Sequence, residues 1–152
     1  MVNSVDMSQK CFYLVKHLND LVDADYMFSP IVFYKEYAQS IDVNRFCTLL
    51  EQQVWGFDGT VIATSIETAE TLIQCPCPTK KFFYVWNMEW LYDQYSYSKL
   101  AHVYLNDELE LIARNNEHAS VIEKCWKKPK YIMDNFDTNI LKQVVGPPQK
   151  EL

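Results

Sequence analysis

The sequence predicts an α/β fold, a Rossmann-like three-layer domain with a mostly parallel sheet of about five strands flanked by helices. Three observations carry that prediction. The last third reads as strand, helix, strand, helix over 109–113, 116–126, 130–133 and 137–145. Short strands alternating with helices of this length are the pattern of a parallel sheet with helices on both faces. Most of the strands are continuously apolar rather than alternating, as expected when both faces are covered. The turns Arg114-Asn115-Asn116 and Asp134-Asn135-Phe136-Asp137 place polar side chains just past the ends of two strands. Open α/β sheets keep their ligand crevices there.

Each element has its own justification. Met7, Cys11, Leu14, Val15, Leu18, Leu21 and Val22 recur at three- and four-residue steps, which makes one apolar helix face. Ser4 or Asp6 is placed to cap its start. Residues 25–36 read as extended segments split at Ser29-Pro30, because proline restricts the residue before it. Residues 43–53 read as a helix, and Gly56-Phe57-Asp58-Gly59 as a turn. A β-branched strand over 60–64 precedes a helix over 66–73, with Ser65 at the N-cap. The Cys75-Pro76-Cys77-Pro78 stretch ends that helix, since proline cannot continue it. Residues 81–86 form an aromatic strand, and 89–105 a mixed stretch with a helix around 92–104. The chain opens on a helix, so the leading strand of a doubly wound sheet is expected to be missing or supplied elsewhere. Residues 1–145 make a single domain and 146–152 a short tail.

Composition narrows the function classes. At 152 residues with ten Tyr, eight Phe and four Trp, the chain can bury one real core. A net charge of −6 disfavours nucleic acid and anionic lipid as partners. Lys127, Lys128 and Lys130 complement a helix terminus rather than forming a nucleic-acid patch. No apolar run reaches the roughly 18 to 20 residues of a membrane span. The first ten residues are polar and show no signal-peptide core, so a cytoplasmic protein is expected. Five cysteines, an odd number among apolar neighbours, read as reduced thiols. Cys75 and Cys77 have no neighbouring Cys or His to complete a zinc set, so no metal is expected. Only three glycines are present, too few for the Gly-rich phosphate motifs. No serine lies in the G-x-S-x-G setting of a hydrolase.

Four segments in order carry a family resemblance. They are Thr60 to Thr71, then Phe82-Phe83-Tyr84-Val85-Trp86-Asn87-Met88-Glu89, then Leu111-Ile112-Ala113-Arg114-Asn115 with Glu117-His118, then Tyr131-Ile132-Met133-Asp134-Asn135-Phe136-Asp137. Over roughly residues 60–140 they resemble the first, acceptor-side domain of a GT-B fold glycosyltransferase. The resemblance implies transfer of a sugar from a nucleotide-sugar donor, with no cofactor beyond that donor as substrate. It also implies a second domain that holds the nucleotide. Only seven residues follow Val145, so a protein partner or a homodimer is expected to complete the cleft. One position departs from the family pattern. Many members carry a His after the central strand, where this chain has Trp86, whose indole N–H only donates.

The resemblance and the sheet-edge position together nominate Trp86, Asn87, Glu89, Trp90, Arg114 and Asn115 as substrate-binding residues. Trp86 and Trp90 can stack on a sugar ring or pad the core. Glu89 is the candidate acid or base if burial raises its pKa. Alternatively, it answers the positive end of a helix. Arg114 can grip a phosphate with its fork or form a surface ion pair. His118 lies a turn into its helix with no fixed partner. Asn135 and Asp137 suit a turn and a helix cap. Three functions follow. The first is a glycosyltransferase-like protein. The second is a non-catalytic binding or interaction module that keeps the half-fold. The third is a response-regulator-like protein, for which Asp58 and Asp134 form no convincing acidic cluster. Glu89 and Arg114 side by side in an open cleft favour a sugar site, and covered by neighbours a structural role.

Overall fold

The structure, a computed structural model, describes residues 1–24, 29–40, 42–92 and 94–146. Among the described residues there are seven strands and five α-helices. Their order is β1 (Val2–Val5), α1 (Gln9–Ala24), β2 (Ile31–Tyr37), β3 (Cys47–Leu50), β4 (Thr60–Ala63), α2 (Ile66–Gln74), β5 (Lys80–Val85), α3 (Tyr97–Tyr104), β6 (Leu109–Ala113), α4 (Asn116–Cys125), β7 (Tyr131–Ile132) and α5 (Thr138–Val145). β2, β3 and β4 follow one another before the regular alternation begins. Short 3₁₀ turns occupy Glu51–Gly56 and Glu89–Leu91.

All strand pairs are parallel, in one sheet ordered β1-β2-β3 and another ordered β4-β5-β6-β7. Bonds between β1 and β4 tie the two sheets edge to edge. The Met1 amino group donates to the Ile62 carbonyl at 2.6 Å, and the Thr64 hydroxyl to the Met1 carbonyl at 2.9 Å. The strand order therefore extends to both sides of this junction, through β2 to β3 on one side and through β5 and β6 to β7 on the other, as in a Rossmann-like doubly wound domain.

Side-chain alternation along β5 explains the three layers. Phe83 and Val85 join a core with Ile66, Leu72, Val103, Tyr104 and Ile122 from α2, α3 and α4. Phe82 and Tyr84, with Trp86 beyond the strand, join a second core with Leu14, Leu18, Leu141 and Val144 from α1 and α5. Both faces are covered, so the strand reads as one apolar run. Among the described residues no helix is long and apolar enough to cross a membrane.

Several expectations are corrected. A leading strand is present: β1 occupies the first residues and pairs with β2. Its Val-Asn-Ser-Val sequence is short and half polar, which hides it. The helix expected over 43–53 is instead β3 followed by the 3₁₀ turn, because Cys47 to Leu50 pairs with β2. The sheet of about five strands is replaced by sheets of three and four. The helix around 92–104 begins only at Tyr97, where the Ser96 hydroxyl accepts the Lys99 N–H. At the start of α1 the cap is Ser8, whose hydroxyl accepts the Cys11 N–H at 3.4 Å. Asp6 supports it by accepting the Ser8 N–H. The expected segment 25–36 is described only from Ser29, with its strand starting at Ile31. Residues 25–28 and the tail beyond Gly146 lie outside the described residues.

Candidate functional site

The carboxyl edge of β4, β5 and β6 carries two separate groups of side chains. The first surrounds the start of α2, next to the junction with β1. The Ser65 hydroxyl accepts the Thr68 N–H at 3.3 Å and donates to the Asn3 side chain at 3.1 Å. Asn3 donates to Glu67 at 3.1 Å, and the Tyr95 hydroxyl also donates to Glu67. From the loop after β5, the Glu89 carboxylate accepts the Ile66 N–H at 3.1 Å. A helix N-terminus exposes unpaired N–H groups and a positive dipole end, which makes it an anion site. Here the anion is the chain's own Glu89.

The two carboxylates titrate in opposite directions. Burial raises the Glu89 pKa and the charge of Glu67 adds to it, against the opposing Ile66 N–H bond and Lys10. Burial also disfavours ionised Glu67, but the Tyr95 and Asn3 bonds outweigh it and hold its pKa below the ordinary value. Burial and the adjacent Glu67 push the Tyr95 phenol upward.

The second group centres on Trp86, which is 6% exposed. The Arg114 guanidinium lies 4.0 Å from the centre of its ring. Phe136 stacks on the same indole at 5.6 Å and 19°, and Tyr84 meets it edge-on at 5.8 Å. Arg114 also donates to the Asn135 side chain at 3.0 Å. Asn135 and Phe136 both have positive φ, 45° and 63°. That region is unfavourable for a bulky residue such as Phe and stores about 1–3 kcal/mol. The surrounding contacts hold the turn in place. The Tyr84 hydroxyl donates to the Met133 carbonyl at 2.7 Å, and the Asp137 N–H to the Asp134 carbonyl at 2.9 Å.

Beside these groups lies an aromatic pile. Tyr97 stacks on Trp126 at 5.9 Å, and Trp126 on Tyr104 at 4.9 Å. Trp90 stands edge-on to Tyr104 and Trp126. The Tyr104 hydroxyl and the Trp126 indole nitrogen are buried without a hydrogen-bond partner among the described residues. The His118 Nδ1 is buried without a hydrogen-bond partner among the described residues. Burial and then the charge of Arg114 lower its pKa.

The six nominated residues therefore divide. Glu89 serves α2, and Arg114 serves Trp86 and Asn135. The two share no hydrogen bond or ion pair. Asn115 caps α4 by accepting the His118 N–H at 2.8 Å. Trp86 and Trp90 pack against other rings, and Asn87 is exposed. Asn3, Glu67 and Tyr95 were not nominated. Asn3 lies on the unrecognised β1, and Glu67 had only its place in the first turn of a helix as a signal.

Chemically, part of the N–H set at the described helix starts is already taken. Every helix start has its own side-chain acceptor: Ser8 for α1, Ser65 for α2, Ser96 for α3, Asn115 for α4 and Asp137 for α5. Among the described residues no three His, Cys, Asp or Glu side chains are grouped to hold a metal ion. In comparisons by sequence and by structure, no family model, curated protein or solved structure matches the chain.

Proposed function

We propose that this chain is a non-catalytic interaction module. On this reading it keeps a half-fold resembling the acceptor side of a GT-B glycosyltransferase and docks on a protein partner or a second copy. One observation carries the reading. The side chains best suited to chemistry, Glu89 and Arg114, are spent on the α2 start and on Trp86. Next to them, Leu91, Tyr92 and Tyr97 are 68%, 57% and 74% exposed. Large apolar side chains gathered beside a committed polar site suit protein contact better than turnover. The free state of all five cysteines fits a reducing, cytoplasmic setting.

The second reading is sugar transfer across a cleft completed by another chain. The upward shift of the Glu89 pKa favours it, because burial that raises a carboxyl pKa brings it toward the range of a general acid. Calorimetric titration with uridine, guanosine and adenosine diphosphate sugars, with assay of released nucleotide, separates the two. The module reading expects neither heat nor release. Nucleotide release that is lost in Glu89→Gln establishes the transfer reading instead.

A further inference from the structure

At the junction between the two sheets, a half-enclosed cavity of about 340 Å³ is lined by α1 and α5 of one core and by Phe33, Phe57 and Val61 of the other. Leu14, Leu18 and Leu21 of α1 line one side, and Leu141 and Val145 of α5 another. Val2 and Val32, from the core of α1 and α5, and Val61, from the opposite core, meet it where the two sheets join. Close-packed interiors leave few voids larger than a water molecule, and this one is far above that size. Its volume lies in the range of small-molecule pockets.

The position of the mouth follows from exposure. Most lining residues are buried, but Ser29 and Val145 are exposed, and Ile31, Gly59 and Thr60 are half-buried. These residues sit at the amino ends of β2 and β4 and at the last turn of α5. The opening is therefore at the sheet edge opposite Glu89 and Arg114. Its hydroxyls are those of Ser29 and Thr60.

The lining also defines the ligand. No charged side chain is among the described residues that form it. The Met1 amino group is spent on the Ile62 carbonyl, and burial lowers its pKa to about 5. Among the described residues an ionised head group would find no charged side chain to pair with, so its burial would carry a desolvation cost. Uncharged apolar molecules lose nothing comparable. A cavity of about 150 Å³ holds benzene, so this one holds roughly a dozen non-hydrogen atoms.

We infer that this cavity is a binding site for an uncharged apolar ligand of medium-chain length, with a hydroxyl-sized head at Ser29 and Thr60. Its mouth lies away from the carboxyl edge, although Thr64 and Phe136 reach its inner end, and the proposal does not depend on the interaction reading.

The test is thermal unfolding of the whole protein at pH 7 with 1-decanol, and with decanoate of the same chain length. A ligand that binds only the folded state raises Tm. The expected rise for decanol is about 4 °C at a tenfold excess over Kd, saturating, with no rise for decanoate. Val145→Trp narrows the mouth from an exposed position and is expected to weaken decanol binding at least tenfold. The site is disproved if decanol gives no rise up to its solubility limit, if Val145→Trp binds equally well, or if decanoate binds as tightly. Should Val145→Trp not fold, amide exchange of the wild type decides. Slower exchange in α1 and α5 with decanol supports the site, and unchanged exchange there overturns it.

Discussion

The β4–β7 sheet and the β1–β3 sheet are both wholly parallel, yet their surroundings differ. In the first, Phe83, Tyr84, Val85, Leu111, Ile112 and Ala113 are buried between helices on both faces. In the second, Lys35, Glu36 and Tyr37 of β2 and the ends of β3 are exposed, with β3 at an open edge. Burial area sets the energy at stake. The four-stranded sheet therefore carries most of the stability, and the three-stranded sheet supplies the junction and one wall of the apolar cavity.

The sharpest way to break this comparison is one truncation in each sheet. Phe83→Ala removes a fully buried ring from β5, and urea unfolding should show a loss of about 3–5 kcal/mol. Leu50→Ala at the edge of β3, where the side chain is 50% exposed, should cost under about 1 kcal/mol. Equal losses would mean that the two sheets share the load. One step smaller, Asp137→Ala removes the acceptor for the Asn139 and Ile140 N–H groups. It should cost about 1 kcal/mol, read from the same curves.

A pH series sharpens the comparison at the junction itself. The folded pKa of Glu67 lies below its ordinary 4.5, so its stabilisation is full above that value and fades as pH falls through the folded pKa. Glu67→Gln should therefore weaken the protein at pH 7, and the deficit should shrink in acid. The folded pKa of Glu89 lies above 4.5, so its penalty is absent in acid and grows as pH rises from 4.5 through the folded value. Glu89→Gln keeps an acceptor for the Ile66 N–H and should match or exceed wild-type stability at pH 7. Parallel curves for the two variants would overturn the opposed assignment.

The same contrast explains what the sequence made legible. The strands of the four-stranded sheet show as largely apolar runs, with Thr60, Lys80, Lys81 and Glu110 confined to their first two positions, because two covered faces leave few polar positions. β1 and β3 do not, because Asn3 and Ser4 interrupt one and the other is a short edge strand. The caps Ser65 and Asp137 lie beside the helices they serve, where local pattern suffices, whereas Asn115, read as a binding residue, caps α4. The partners of Glu89 and Arg114 lie farther off in sequence. Ile66 is 23 residues from Glu89, and Asn135 is 21 from Arg114. The Asn3 bonds to Ser65 and Glu67 span 62 and 64 residues. Such pairings depend on which strands meet, and the missing β1 concealed the junction.

The account rests on polar side chains at the carboxyl edge holding the fold together rather than waiting for substrate. Urea unfolding of Arg114→Ala tests that most directly. The variant loses the contact over Trp86 and the bond to Asn135, so a loss of about 1–2 kcal/mol is predicted. A variant as stable as wild type, or more stable, would contradict the account, because residues kept for binding or catalysis are commonly replaced without cost to stability.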